Sequence, residues 1–316
     1  MKTIVTGCCG KIGLDISLAL LRAGHEVVGL DQRTRPDAPF PVIADSLLDP
    51  YALHRALREA GARGGPVDAI VHLANHPNAN VGPGDRILRE NGMINSNVFL
   101  GAAGAGVPRV VFCSSVQAML GGLDSGADMR MNRPDRFRID ETHPARPTNA
   151  YGLSKRLAEE TLDALTGPHM RLSPAGEAPN LKAISIRAPF VLNEQAVGWN
   201  LQRSGRPASF EWGGAEAFAY VTLGDLARAF VGAVECPDDR INDHEIVFIA
   251  APDPRPEEPI ADLVERFYAD VPGANKAIQA DSFVDTGKAE RLLGWRAEEL
   301  LREMRRSPSQ APPGAP

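Results

Sequence analysis

The chain opens with Lys2-Thr3-Ile4-Val5-Thr6-Gly7-Cys8-Cys9-Gly10-Lys11-Ile12-Gly13, and the reading of this stretch decides the fold. Lys2–Thr6 is short, apolar and β-branched, the pattern of a buried parallel strand. An apolar run from Ile12 to Ala23 follows and stops at Gly24, a natural helix C-cap. Between strand and helix lie three glycines, each with a task. Gly7 permits a tight turn, Gly10 lets the backbone approach a pyrophosphate, and Gly13 lets helix and strand pack closely. Phosphates then rest at the helix N-terminus, beside Cys9, Lys11 and Ile12, where free N–H groups and the dipole favour anions. A glycine triplet alone is a weak signal; its place in the first βα unit gives it weight.

Outward from that loop the alternation continues. Strand patterns recur at Glu26–Leu30, Val42–Ala44, Ala69–Leu73 and Arg109–Cys113. Helical patterns run from about Pro50 to Ala60, Asp85 to Ala105 and Ala150 to Leu165. This rhythm predicts an α/β fold, a Rossmann-type doubly wound parallel sheet with a small C-terminal substrate lobe. Past Gly167-Pro168 the rhythm loosens. Ala183–Ile186 and Ile246–Ile249 still resemble strands and Leu223–Glu235 a helix, but Gly198–Gly214 and Cys236–Asp243 are rich in Gly and Pro. The expected division is 1–188 for the dinucleotide-binding domain and 189–316 for the lobe. Segments from about 217–250 return to the core, and the tail Ser307–Pro316 is expected to be disordered.

With 316 residues, 43% of them hydrophobic, the chain is long enough for one large domain and a smaller lobe. A net charge of −6 gives no basic footprint for nucleic acid. No apolar run reaches the length of a membrane span, and the N-terminus enters a strand pattern with no signal-peptide architecture, so a cytoplasmic protein is expected. The four cysteines have no zinc spacing, and no metal site is expected. Cys8 and Cys9 are read as small side chains in a tight loop, with a redox switch as the sharper alternative.

Asp31 ends the second strand about 20 residues past the glycine loop, where an acid binds ribose hydroxyls and repels a 2′-phosphate. That points to NAD over NADP, although Arg33, next after Gln32, and Arg35 pull the other way. Asp45 and Ser46 follow the third strand, where Asp45 either reaches the adenine or serves as a strand-end acid. Tyr151 and Lys155, in Tyr151-Gly152-Leu153-Ser154-Lys155, lie one helical turn apart on one face. A phenol is a poor base at neutral pH, and a nearby ammonium favours its ionised form. The pair can exchange a proton with a secondary alcohol. Ser114-Ser115 closes the fifth strand at the carboxyl edge of the sheet, where Ser115 is placed to hydrogen-bond a substrate oxygen, or both serines merely end the strand.

With these residues in hand, the chain resembles the extended short-chain dehydrogenase/reductase family, also called the NAD-dependent epimerase/dehydratase family. The glycine motif matches Gly7, Gly10 and Gly13, and the fourth-strand motif matches His72-Leu73-Ala74-Asn75. The family's active-site asparagine matches Asn91, and its Ser–Tyr–Lys set matches Ser115, Tyr151 and Lys155. Tyr220-Val221, Asp225-Leu226-Ala227 and Asp285 through Trp295 match later signatures, so the resemblance spans about residues 1–300. It implies NAD as cofactor, held also by Leu73, Ala74, Asn75, Asn91, Tyr151 and Lys155. It implies catalysis by Ser115, Tyr151, Lys155 and Asn91, the last holding a water or backbone relay. It also implies a homodimer through the helices that begin near Asp85 and Ala150, with Phe99, Leu100, Leu157 and Leu162 in contact. Val116-Gln117 departs from the pattern of members that dehydrate sugar nucleotides and disfavours that chemistry. The short lobe resembles the uronate-dehydrogenase branch.

The expected activity is hydride movement at a secondary alcohol of a sugar or sugar derivative, by a dehydrogenase releasing NADH or by an epimerase. Asn75, Ser115, Gln117 and Arg187 are the substrate candidates. Arg187 has a second reading, pairing with a core acid. Arg130, Arg133, Arg136 and Arg138 lie in the insertion 124–138, either an anion-gripping lid or a solvated loop. His72 and His76 are read as structural. A hydroxysteroid or aldehyde reductase is the second enzymatic reading. An NAD(P)-sensing regulator is the non-enzyme alternative, and the intact Ser–Tyr–Lys set argues against it.

Overall fold

The sheet is built from seven parallel strands in the order β3-β2-β1-β4-β5-β6-β9. The structure, a computed structural model, describes residues 1–121, 132–172 and 180–306. The strands are β1 (Lys2–Thr6), β2 (Glu26–Asp31), β3 (Val42–Ala44), β4 (Ala69–His72), β5 (Arg109–Ser115), β6 (Lys182–Ala188) and, after two short strands outside this sheet, β9 (His244–Phe248). Helices α1 (Gly13–Arg22), α2 (Ala52–Ala62), α3 (Gly84–Gly104) and α4 (Ala150–Thr166) join the first six. This is the doubly wound order, and its switch point between β1 and β4 puts a crevice at the carboxyl ends of the strands. No helix among the described residues is long and apolar enough to cross a membrane.

Two apolar layers flank the sheet. On one side Ile16 and Leu20 of α1 meet Phe230 and Ala233 of α6 (Leu223–Glu235), with Leu292 and Trp295 from the far end of the chain. On the other, Leu53 and Ala56 of α2, Val98 and Phe99 of α3 and Leu162 of α4 cover β1, β4 and β5. A third cluster joins Phe210, Trp212, Phe218, Tyr268 and Phe283 in the C-terminal half.

Helix α2 runs past the expected end near Ala60 to Ala62, and the turn after it is made by Gly64 and Gly65 with positive φ. Strand β6 is longer at both ends than its predicted core and so carries Arg187. The stretch predicted as a Gly- and Pro-rich loop begins within α5 (Glu194–Gln202), capped by Asn193, whose side chain accepts from Ala196 N at 2.9 Å. Two three-residue strands, β7 (Phe190–Leu192) and β8 (Tyr220–Thr222), pair in parallel beside the main sheet. Four short helices follow, α7 (Ile260–Leu263), α8 (Ala274–Ala280), α9 (Gly287–Leu293) and α10 (Leu301–Arg306). The tail 307–316 and Arg130 lie outside the described residues.

Candidate active site

The first βα unit closes on itself as the glycines require. Gly7 has φ +71°, and a Cβ there would lie 2.8 Å from Ala74 N. At Gly13 a Cβ would lie 2.1 Å from Gly7 O, so any side chain would push α1 off the loop. The cradle over Gly7, Gly10 and Gly13 therefore fits a pyrophosphate against backbone. Lys11 is exposed and Ile12 half-buried at its rim. Asp31 ends β2 and is 6% exposed; its carboxylate accepts from Cys9 N and Arg33 N, both at 3.0 Å. That orients it at the place for ribose hydroxyls. Arg33 is exposed and also touches Asp31, while Arg35 pairs with Asp37, and Gln32 is exposed. Asp45 is held by Arg55 Nε at 2.8 Å and caps its neighbour Ser46 N, so its carboxylate is already engaged on α2.

The same loop carries three possible metal donors within 4.8 Å, Cys8, Cys9 and Asp31. Burial pushes both thiols up, so they stand protonated, and the carboxylate is spent on amides. As arranged, this is a poor ligand set.

At the end of β4 a polar ladder crosses to α3 and α4. Thr6 Oγ1 bonds His72 Nδ1 at 2.7 Å, and His72 Nε2 meets Asn95 Oδ1 at 3.0 Å. Burial takes His72 down to about 3, so it is a neutral strut, stacked on Phe112 and edge-on to Phe99. The backbone N–H groups of Leu73 and Ala74 donate to Thr6 Oγ1. Asn75 Nδ2 donates to Asn95 Oδ1 and its Oδ1 accepts from Lys155 Nζ, each at 2.9 Å. Asn91 is fully buried; it accepts from His76 N at 2.7 Å and donates to Ser154 Oγ at 3.0 Å. Asn91 therefore holds the β4–α3 loop against α4, a positioning role. His76 pairs with Glu90 at 2.6 Å.

Helix α4 carries the two residues expected to transfer a proton, Tyr151 and Lys155. Its cap, Asn149, accepts from Gly152 N at 2.7 Å, and a Cβ on Gly152 would lie 2.3 Å from Gln117 O. Glycine thus lets the first turn of α4 press against the turn after β5. Tyr151 is 8% exposed, and the nearby Ser115 side chain acts to lower its phenol. Lys155 Nζ donates to Cys113 O at 2.7 Å and to Asn75 Oδ1, and lies 5.6 Å from the Tyr151 ring centre. Burial lowers Lys155 to about 8. Burial also pushes the Tyr151 phenol above its ordinary value, with Cys113 and Glu216 adding to the effect. The expected lowering by the ammonium is absent in the chain by itself: burial dominates the phenol, and Lys155 Nζ is turned to Cys113 O and Asn75.

The substrate candidates divide. Gln117 lies on the site's edge: Nε2 donates to Glu216 Oε1 at 2.9 Å and Oε1 accepts from Asn149 at 3.0 Å. Arg187 is 2% exposed and takes its second reading, a two-toothed ion pair with Glu159 at 2.9 and 2.8 Å. A guanidinium so engaged does not reach a substrate. Arg133, Arg136 and Arg138 pair with Asp270, Asp140 and Asp285, so these three do not form a cluster of free cations over the site. Phe99 and Leu162 face the core, while Leu100 (43%) and Leu157 (50%) are exposed on α3 and α4. Reading the sequence missed Asn149, Asn95 and Glu216. Asn149, one residue before a helix start, carried a capping signal, and Asn95 one turn beyond Asn91 carried a spacing signal. Glu216 had none.

Residues 3–176 match the model of the NAD dependent epimerase/dehydratase family. An NAD-dependent glucose-6-phosphate dehydrogenase of Haloferax volcanii is 28% identical over 253 residues, 78% of this chain and 83% of that one. A UDP-glucose 4-epimerase of Azospirillum brasilense is 30% identical over 59% of this chain and 48% of that one. Among solved structures, a short-chain dehydrogenase/reductase superfamily protein from Agrobacterium tumefaciens with bound NAD shares the fold at TM-score 0.66 and 20% identity, covering 98% and 97% of the two chains. A mutated uronate dehydrogenase shares it at TM-score 0.63 and 20% identity, covering 98% and 86%. The match across more than half of its length, on a cradle that fits a dinucleotide, places this chain in the NAD-dependent epimerase/dehydratase family, with NAD as its cofactor.

Proposed function

We propose that the chain oxidises a secondary alcohol of a sugar or sugar derivative, with Tyr151 as acid/base, Lys155 as its electrostatic partner and Ser115 polarising the reacting oxygen. Bound over Gly7–Gly13, NAD supplies the hydride acceptor and a positive charge on its nicotinamide ring. The observation that carries the reading is the convergence of Tyr151 and Ser115, from α4 and β5, at the carboxyl edge of the sheet, where the serine hydroxyl acts to lower the phenol. In the oxidising direction Tyr151 acts as the phenolate, which the ammonium of Lys155 stabilises, and it becomes the phenol as it accepts the alcohol proton. In the reducing direction the protonated phenol donates to the substrate oxygen. Ser115 Oγ, which also caps Gln117 N at 3.2 Å, holds that oxygen in place.

Relatives matched across most of both chains include a dehydrogenase and an epimerase, so the assay must separate net oxidation from epimerisation. Exposed Leu100 and Leu157 support a homodimer through α3 and α4. The test is a panel of uronic acids, aldoses and nucleotide sugars read by NADH absorbance. Tyr151→Phe should abolish turnover on the active substrate and leave NAD binding largely intact. More than about a tenth of wild-type activity, a loss under ~1.4 kcal/mol of transition-state stabilisation, removes Tyr151 from the role. A protein that forms no NADH but interconverts two sugars is an epimerase.

A further inference from the structure

The substrate lobe holds a group of hydrogen-bond donors without acceptors. Arg255, beyond β9, is 3% exposed, and its Nε is sealed from solvent with no acceptor. Its guanidinium carbon lies 4.8 Å from the Phe190 ring centre and 6.0 Å from that of Trp212. It occupies the space over Gly213, where a Cβ would collide with it. Arg203, at the end of α5, lies 4.4 Å from the Trp212 ring centre and 4.8 Å from that of Trp199. Its Nε is sealed without an acceptor as well, and so is the indole Nε1 of Trp212. Three orphaned donors and two guanidiniums thus meet around one indole. Among the described residues neither guanidinium makes a hydrogen bond or an ion pair.

The nearby acids are engaged elsewhere. Glu216, the acid whose charge Arg255 feels most, accepts from Gln117. Glu257 and Glu258 accept from the backbone N–H groups of Gly205 and Ala208, and Glu258 also pairs with Arg266. A buried, unpaired cation is costly, and burial brings Arg255 down to about 10. Such an arrangement is explained by an anion that supplies the missing acceptors, and a guanidinium fork matches the oxygens of a carboxylate or phosphate. The location fits. Phe190 follows the end of β6, where Ala188 lies in register with Ser115, and Gln117 links Glu216 to the turn after Ser115.

We propose that Arg255 and Arg203 grip an oxyanion, a carboxylate or a phosphate, carried by the substrate away from the carbon that Tyr151 serves. The inference deepens the proposed function by naming the substrate class, an acidic sugar. The full chain is titrated with D-glucuronate, D-glucose 6-phosphate and neutral D-glucose while tryptophan fluorescence is followed. Trp199 and Trp212 report from the site, whereas Trp295 is buried in the main core. One of the two anionic sugars should bind saturably and be displaced by inorganic phosphate, and which one binds separates carboxylate from phosphate. Arg255→Met should weaken that binding at least tenfold, Arg255→Lys less, and half-buried Arg203→Gln severalfold. Retained NAD binding shows that a variant is folded, and Arg203→Gln carries the test if Arg255→Met is not. Failure of both anionic sugars to bind, equal binding of D-glucose, or affinities within twofold of wild type in folded variants overturns the inference. Tyr151-dependent NADH formation from a neutral sugar would then leave the proposed function standing. Anion binding without any Tyr151-dependent turnover would do the reverse.

Discussion

Arg187→Met tests how the molecule uses its most deeply placed cation. The guanidinium spends two nitrogens on Glu159, at 2.9 and 2.8 Å, and reaches Glu141 O at 3.2 Å. Both partners of the pair are almost wholly enclosed, at 2% and 0% side-chain exposure. Methionine fills most of the same volume but leaves Glu159 with only Ser114 Oγ at 2.7 Å and the half-buried Arg156 at 3.6 Å. Removing one member of a buried pair costs about 3–5 kcal/mol, because the other charge stays behind. A chain of this length unfolds with an entropy of roughly 0.7 kcal/mol/K, so the midpoint should fall by about 4–7 °C. Differential scanning calorimetry reads it directly. Replacing both partners, Arg187→Met with Glu159→Leu, should restore much of the loss, since no charge is then stranded. A single variant melting within about 1 °C of wild type, with a raised KM for substrate, would refute this account and put the guanidinium against the ligand.

Four other outcomes are expected. Asp31→Ala should weaken NAD at least tenfold and erase most of the preference over NADP, as measured by titration with both. NAD binding should weaken as pH rises through about 8, where buried Lys155 loses its proton, and Lys155→Met should abolish that inflection. From the same group, calorimetric stability should rise between about pH 8 and 10.5, because the unfolded chain binds the extra proton across that window. Leu157→Glu should turn a dimer into a monomer by light scattering at micromolar concentration, with the fold retained because Leu157 is half exposed.

The parts of the fold legible in the sequence are those with a local physical signature. Buried parallel strands such as Ala69–His72 and Arg109–Ser115 are continuous apolar or β-branched runs, and α1 and α3 end at glycines in positive φ. The strands β7 and β8, three residues each, offer too little periodicity to register. At the candidate site, Tyr151, Lys155 and Ser115 stand out in the sequence because one lies a helical turn from the next and the third ends a strand. Their partners do not. Gln117 and Glu216 are 99 positions apart, Arg187 and Glu159 are 28 apart, and nothing local links either pair. The raised phenol of Tyr151 was equally hidden, since it reflects how completely the finished core encloses the hydroxyl.

The packing of Leu292 and Trp295 against the α1 side of the sheet bears on how the chain comes to be folded in time. Trp295 Nε1 donates to Asp225 O at 2.9 Å, and the Asp225 carboxylate accepts from Glu298 N and Glu299 N. Strand β9, which completes the sheet, ends only at Phe248. A ribosome therefore releases the entire glycine loop together with Ser115, Tyr151 and Lys155 long before the layer beneath them can be sealed. Until Leu292 and Trp295 arrive, the α1–α6 face stays open, and the nascent protein must wait with apolar surface in water. The final twenty described residues act as a clasp on work done by the first two hundred.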